Sequence, residues 1–428
     1  MFSKMGNGIV DNRDPAAQTS PFPALQRRLI ILGIDLPLVI VALILVVFGL
    51  MMVYSASTDF SLRVYGSPNQ IFIRQLEVLL VATVIGVGLS IFDYHLWQKL
   101  ALPAMLVTIG LLIVVLFISD ERHGAVRTLW QGSIQPSELA KLMIIIYLSV
   151  WLNNKREYLA DVKFGLIPLG GILGFVGGLI IIQPDVSAVL TILVIGGTMF
   201  FLAGGDTRQI IYMVLMAFFV GFLIVVFSDT GSRRLAGFLP GLFDPLKAPY
   251  HVRRSLEAFY RGGWFGVGLG NADTKVTGLP VPHTDSIFAV VGEELGVFGA
   301  IALAGLYLVL LWRGLSIAMR AKDHLGSLLA AGLSLWLVME ALINMLVMVN
   351  LLPFAGNALP FISAGGSNLL VSLAAIGMLI NISRLASGSK NNEERTYASV
   401  VDLRGRNRRR RVSGARRPAG NSAQIQYR

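Results

Sequence analysis

Four ionisable side chains stand where hydrocarbon should begin: Glu138, Lys141, Asp185 and Asp285. Each opens a long apolar run, so each falls at a helix start, whose partial positive charge suits a carboxylate or a bound phosphate. Asp285 is the strongest candidate for chemistry. It closes Pro282-His283-Thr284-Asp285, where Thr284 or Ser286 would cap a helix as well without a full charge. A carboxylate in a partly desolvated site holds its proton more tightly and accepts a hydroxyl proton as a general base. Glu138 and Lys141 lie three apart on one helix face and neutralise each other. As an isolated pair, they predict that losing either is harmful and that reversing both charges restores part of the loss. Asp185, after Gln183-Pro184, also reads as a helix N-cap.

The elements that place these groups are membrane spans. The chain has 428 residues, 54% hydrophobic and 14% charged, with a mean hydropathy of +0.68, a composition for lipid and not for water. Apolar runs at 35–57, 76–92, 99–119, 137–152, 164–182, 186–204, 209–228, 286–312, 327–350 and 365–383 each approach the length that crosses about 30 Å of hydrocarbon. This predicts an all-α integral membrane protein with ten transmembrane helices. Lys and Arg favour both termini in the cytoplasm, with 12 in the N-terminal tail and short inner loops together against 4 in the short outer loops. The first run, far from the N-terminus and lacking a small-residue cleavage site, reads as a retained signal-anchor. A cytoplasmic tail, 1–28, precedes a membrane domain at 29–384. The 229–284 segment between spans 7 and 8 is then a large extracellular loop, and 385–428 is an Arg-rich cytoplasmic tail expected to lack structure. In this topology the four charges share one depth near the outer leaflet.

Within the outer loop, 250–261 spaces apolar residues at 252, 256, 259 and 260 as an amphipathic helix does, with Arg253, Arg254 and Arg261 as cations. Such a helix is expected along the membrane surface. The glycine-dense stretch from Gly262 to Asn271 follows, with Trp264 and Phe265 suited to an interface; it reads as a substrate loop or a structural plug. Glu293 and Glu294 enter the eighth span at about 2.5–3.5 kcal/mol each, so something must reward them. Gly170, Gly171, Gly177, Gly178, Gly196 and Gly197 lie inside spans, where small residues let helices approach. There is no cysteine, which rules out thiolate metal sites and thiol nucleophiles, and no Walker or dinucleotide glycine motif, so no nucleotide is expected. The basic tail suits anionic lipid headgroups rather than nucleic acid.

Six stretches together resemble the SEDS (shape, elongation, division and sporulation) family, the FtsW and RodA type. They are Gln135–Lys141, Gln183-Pro184-Asp185, Gly266–Asn271, Leu279-Pro280 with His283-Thr284-Asp285, Gly292–Gly296, and Leu359–Ser367. The resemblance runs from about Asp35 to Arg384. It implies a peptidoglycan glycosyltransferase in the bacterial cytoplasmic membrane that polymerises lipid II, an undecaprenyl-diphosphate-linked disaccharide-pentapeptide, with a class B penicillin-binding protein transpeptidase as partner. It implies Asp285 as catalytic base, supported by Glu138, Lys141 and Asp185 in one cavity. Cations or a divalent metal, Mg or Mn, with Asp285 as its candidate ligand, would steady the diphosphate. Arg127, Arg253, Arg254, Arg261, His283 and Ser363 are the further substrate-binding candidates. Gly292-Glu293-Glu294 and Leu359-Pro360-Phe361 look more like the division member than the elongation member, which implies septal work with other divisome proteins. The chain departs from the family pattern at Ala364 and Asn368, changes expected to touch substrate contacts and not the carboxylates.

A lipid II flippase would also need a charged cavity and polar groups in spans, and an elongation-type polymerase would share the chemistry. The four charges gather on one side instead of at the midplane, and no paired broken spans mark an inverted repeat. Surface chemistry is the better expectation. A pure scaffold would leave Asp285 free to be Asn.

Overall fold

The computed structural model describes residues 33–118, 135–227, 229–354 and 356–409. Among the described residues there is no strand. Before the polar segment come α1 (Leu36–Tyr65), α2 (Gln70–Ile91), α3 (Trp97–Ile118), α4 (Pro136–Asn154), α5 (Leu166–Ile182), α6 (Val186–Leu202) and α7 (Thr207–Phe227). The polar segment itself folds into α8 (Asp229–Phe243), α9 (Tyr250–Gly262) and the single turn α10 (Thr274–Thr277). Then α11 (Ile287–Arg320), α12 (His324–Met348) and α13 (Gly366–Arg409) follow. Helices overlay all ten apolar runs. Six of them, α1, α2, α3, α11, α12 and α13, are long and apolar enough to cross a membrane, and α5 and α6 are shorter apolar helices. The protein is a multi-pass, all-helical membrane protein.

Acids fix several helix starts. Asp35 caps α1 by accepting from Leu38 N at 3.2 Å, and it also accepts from Arg313 Nε and Arg320 Nη2 at 3.1 Å each, tying α1 to the end of α11. Asp323 caps α12 through Gly326 N, satisfying a donor that a helix start leaves orphaned. α12 and α4 are the most buried helices, with Trp336 and Asn344 of α12 fully covered. α12 packs on α11, α4 and α6, while α13 lies along α2. There Gly377 and Gly86 cross so closely that neither leaves room for a Cβ, the small-residue contact that membrane helices favour. Of the other span glycines, Gly177, Gly196 and Gly197 face Val189, Leu173 and Met213, whereas Gly170, Gly171 and Gly178 face open space.

Two expectations for the loop and tail change. Much of the apolar side of α9 packs on protein: Val252 and Ala258 are buried, and Phe259 packs on Phe288 with ring centroids 5.5 Å apart, while Tyr260 is exposed. Its amphipathic pattern serves protein packing against α11 and α12. The last helix runs on to Arg409 instead of ending near 384, because extending an existing helix avoids the nucleation cost. Residues 410–428 and the N-terminal 1–32 lie outside the described residues.

The glycine-dense stretch has a structural task. α11 is broken at Gly296, whose φ of 70° is left-handed and favours glycine. The break leaves the carbonyls of Glu293 and Glu294 without their helical partners, and they accept from Val267 N and Gly268 N, each at 3.0 Å. Val297 N and Phe298 N donate in turn to Gly263 O (2.9 Å) and Trp264 O (3.2 Å). The loop thus completes the backbone bonding of a broken helix, as buried irregular backbone must.

Candidate active site

Residues from three helix starts and one loop meet in a cavity of about 220 Å³. Glu138 and Lys141 reach it from the first turns of α4, Asp185 from the cap of α6, and Asp285 from the turn before α11; residues 356–358 and 364–368 complete the lining. All four charged residues expected to share a site line this cavity. Pro136 at the first position of α4 presets that helix start, and Asp185 caps α6 through Ala188 N at 3.3 Å.

Each buried charge has partners. Lys141 Nζ, on a side chain only 5% exposed, donates to Glu138 Oε1 at 2.8 Å and to Glu340 Oε1 of α12. Glu138 Oε2 accepts from Asn368 Nδ2 at 3.2 Å. Asn368 is one of the departures from the family pattern, so that departure does reach a carboxylate, contrary to expectation. Asp185 Oδ2 accepts from Ser137 Oγ at 3.0 Å and Gln135 Nε2 at 3.2 Å, and its Oδ1 from Ser187 Oγ at 3.0 Å. Such pairing is what makes burial of a charge tolerable.

Asp285 is half-buried, and the main chain around it is tied down. Asn344 Nδ2 donates to Asp285 O at 2.9 Å and to Asn357 O at 2.6 Å. Ser363 Oγ donates to Thr284 O at 2.8 Å, and Ala364 N to His283 O at 2.8 Å. Opposite the carboxylate stands Gly356, where a Cβ would sit 2.8 Å from Asp285 Oδ2. Glycine keeps that space open.

The remaining candidates lie elsewhere. His283 and Ser363 are buried behind the Asp285 turn and do not line the cavity. The His283 ring packs on Phe60 at 4.7 Å, and burial pushes its pKa down to about 4, so it is neutral near pH 7. On α9, Arg254 pairs with Glu257 at 2.5 Å, Arg261 with Glu257 at 3.0 Å and with Asp273, and the Arg253 guanidinium lies 5.8 Å from the Tyr250 ring centre. The Arg254 hydrogen bond holds the Glu257 carboxyl below its usual range against a smaller burial effect. None of the three arginines lines the cavity. Arg127 lies outside the described residues.

Glu293 and Glu294 fasten the loop that leads to Asp285. Glu293 accepts from Asp273 N at 3.0 Å, Thr274 N at 3.3 Å and Thr274 Oγ1, capping α10. Glu294 Oε1 accepts from Lys275 Nζ at 2.9 Å and from Ser55 Oγ of α1 at 2.5 Å, with side-chain exposures of 0% for the acid and 6% for the lysine. Those bonds reward two acids inside a span. Glu340, Asn344 and Gly356 were not among the sequence candidates. The signal for Glu340 was an acid in the middle of the 327–350 run, the same kind of signal that exposed the others.

The helical fold that carries this cavity is shared with solved proteins. A chain of a peptidoglycan synthase complex that coordinates polymerisation and crosslinking matches at a TM-score of 0.69, 24% identity, over 82% of this chain and 98% of that one. RodA, the rod shape determining protein of Thermus thermophilus, matches at 0.59 and 24% identity, over 82% and 97%. The family model for FtsW, RodA and SpoVE, described as cell cycle proteins, matches residues 35–388. The chain belongs to this family. A protein of Geobacter sp. (strain M18) named probable peptidoglycan glycosyltransferase FtsW is 37% identical over 83% of this chain and 98% of its own length. Stage V sporulation protein E of Bacillus subtilis (strain 168) is 35% identical, over 82% and 97%.

Proposed function

We propose that the protein is a peptidoglycan glycosyltransferase that polymerises lipid II at the outer face of the cytoplasmic membrane, for septal wall synthesis, with a class B penicillin-binding protein as its transpeptidase partner. The observation that carries this reading is the convergence of Asp285, Glu138, Lys141 and Asp185 on one cavity. Membership of the family and the names of its FtsW relatives support the activity, and a matching chain from a peptidoglycan synthase complex supports the partner. The ten-span topology with both termini inside starts α4, α6 and α11 at the outer leaflet, where a lipid-linked substrate would present its sugars.

Joining an α-linked lipid diphosphate donor to a 4-hydroxyl with a β-1,4 product inverts the anomeric carbon, so one displacement suffices. Asp285 takes the proton of the acceptor 4-hydroxyl as its oxygen bonds the donor C1, and the diphosphate leaves with the C1–O bonding pair. Fixing the main chain on both sides of Asp285, through Asn344 and Ser363, preorganises that step. Glu138 and Asp185 are committed to lysine, amide and hydroxyl donors, and among the described residues no group of three acids or histidines is placed to hold a metal. A divalent ion here would therefore rest on Asp285 and the substrate diphosphate rather than on a protein cage, and no step runs through one.

The test is glycan synthesis from labelled lipid II by the purified chain with its transpeptidase partner. Asp285→Asn should lose at least a hundredfold in rate, the lower range for a general base. A native rate in that variant would sink the assignment, and lipid II transfer between leaflets without polymer would favour a flippase.

A further inference from the structure

The Lys141 ammonium is committed to two carboxylates from two helices. Glu138 comes from its own helix, one turn away, and Glu340 from α12, 1% exposed and outside the cavity lining. Glu340 stands one turn from Asn344 on the same face of α12, and Asn344 holds the main chain at Asp285 and Asn357. One turn further, Met348 receives Ser255 Oγ of α9 at 3.3 Å. A single stripe of α12 therefore fixes the Glu138–Lys141 pair, the base and the loop helix relative to one another. Spacing of four places these groups on one helix face, and Glu340, whose Oε2 has no hydrogen-bond partner, depends on Lys141 for its charge compensation.

We propose that Glu340 is a positioning residue for the polymerase reaction, acting through Lys141: it makes the lysine a fixed bridge between α4 and α12 and sets where Glu138 stands relative to Asp285. This rests on the polymerase reading. In it Lys141 contacts no diphosphate oxygen, and the cavity carries more negative than positive side chains.

The experiment is a four-protein cycle on the full chain with its partner: wild type, Glu340→Gln, Lys141→Met and the double variant, each assayed for initial rate against lipid II concentration. Glu340→Gln keeps the shape of the side chain and removes its charge. It should lower kcat at least tenfold with KM within twofold, because Glu340 touches no substrate. Lys141→Met leaves two facing carboxylates, so adding Glu340→Gln to it should be neutral or restorative. That change of sign is what a residue with a merely local structural role would not give. A wild-type kcat in Glu340→Gln, a rise in KM alone, or a double variant that loses the product of the two single losses would each overturn the proposal. If wild type makes no glycan, the polymerase reading fails instead; thermal unfolding of the four proteins then reads the bridge, and independent, additive shifts would overturn it.

Discussion

Lys275 and Glu294 offer a sharp test of how the loop reaches Asp285. Their ion pair is enclosed, with side-chain exposures of 6% and 0%, and Glu294 Oε1 takes both the lysine and Ser55. The other oxygen, Glu294 Oε2, has no hydrogen-bond partner, so the carboxylate depends on the lysine for its charge compensation. Lys275→Met then strands a buried anion, at a cost of about 3–5 kcal/mol. Glu294→Gln is milder, because Lys275 still donates to Gly270 O at 2.8 Å and to Ser55 Oγ at 3.0 Å. The double variant Lys275→Met with Glu294→Gln replaces the pair by neutral groups of similar volume and should return to within about 1 kcal/mol of wild type. Denaturation of the four proteins in detergent gives the cycle, and proteolysis of the 263–278 stretch reports the loop directly. Additive single effects, or a Lys275→Met loss below about 1 kcal/mol, would refute the idea that this pair fastens the loop.

Gly356→Ala should lower kcat about tenfold or more while the protein stays folded, since the new Cβ would lie 2.8 Å from Asp285 Oδ2 and must displace the carboxylate; rate measurements beside a melting curve check it. Gly296→Ala forces a left-handed φ of 70° on a residue with a Cβ, costing on the order of 1–2 kcal/mol before its contact with Trp264 is counted, and a lower melting temperature is the readout. His283 carries a pKa lowered to about 4 by burial, so the unfolded chain binds its proton first as pH falls. Its contribution makes stability drop between about pH 6.5 and 4, by up to about 3 kcal/mol, and a neutral replacement such as His283→Gln should flatten that part of the stability curve.

Much of the fold was legible because lipid imposes one requirement on every span: helices overlay the ten apolar runs, and six of them are long and apolar enough to cross a membrane. The candidate cavity was legible for the same reason: Glu138, Lys141, Asp185 and Asp285 are charges that hydrocarbon would remove unless something held them. What was not legible is long-range pairing. Nothing near 138 or 141 announces Glu340, about two hundred positions away, and nothing near 285 announces Asn344 or Gly356. Helical period gave most of the apolar face of α9, with Tyr260 exposed instead, but not what it faces, since a protein surface and a membrane surface demand the same pattern. The glycine-dense stretch left a substrate loop and a structural plug both open because its partner, the break at Gly296, lies in another element.

Reversing the charges of Glu138 and Lys141 now has a different expected outcome. As an isolated pair, Glu138→Lys with Lys141→Glu would rebuild the same attraction with opposite signs. The third partner changes the balance: the carboxylate introduced by Lys141→Glu would face Glu340, whose own carboxylate already meets the ammonium being replaced. Like charges in a buried site repel, and Glu340 loses its counter-ion, so the double reversal should be at least as unstable as Lys141→Met. Adding Glu340→Lys gives one acid between two bases, the mirror image of the native cluster, and should recover part of the lost melting temperature. It should not recover glycan synthesis, because Asp185 and Asp285 line the same cavity, where a lysine would stand at 138 and a carboxylate at 141. Full rescue by the double reversal would show that Glu340 does not share Lys141 in the working protein.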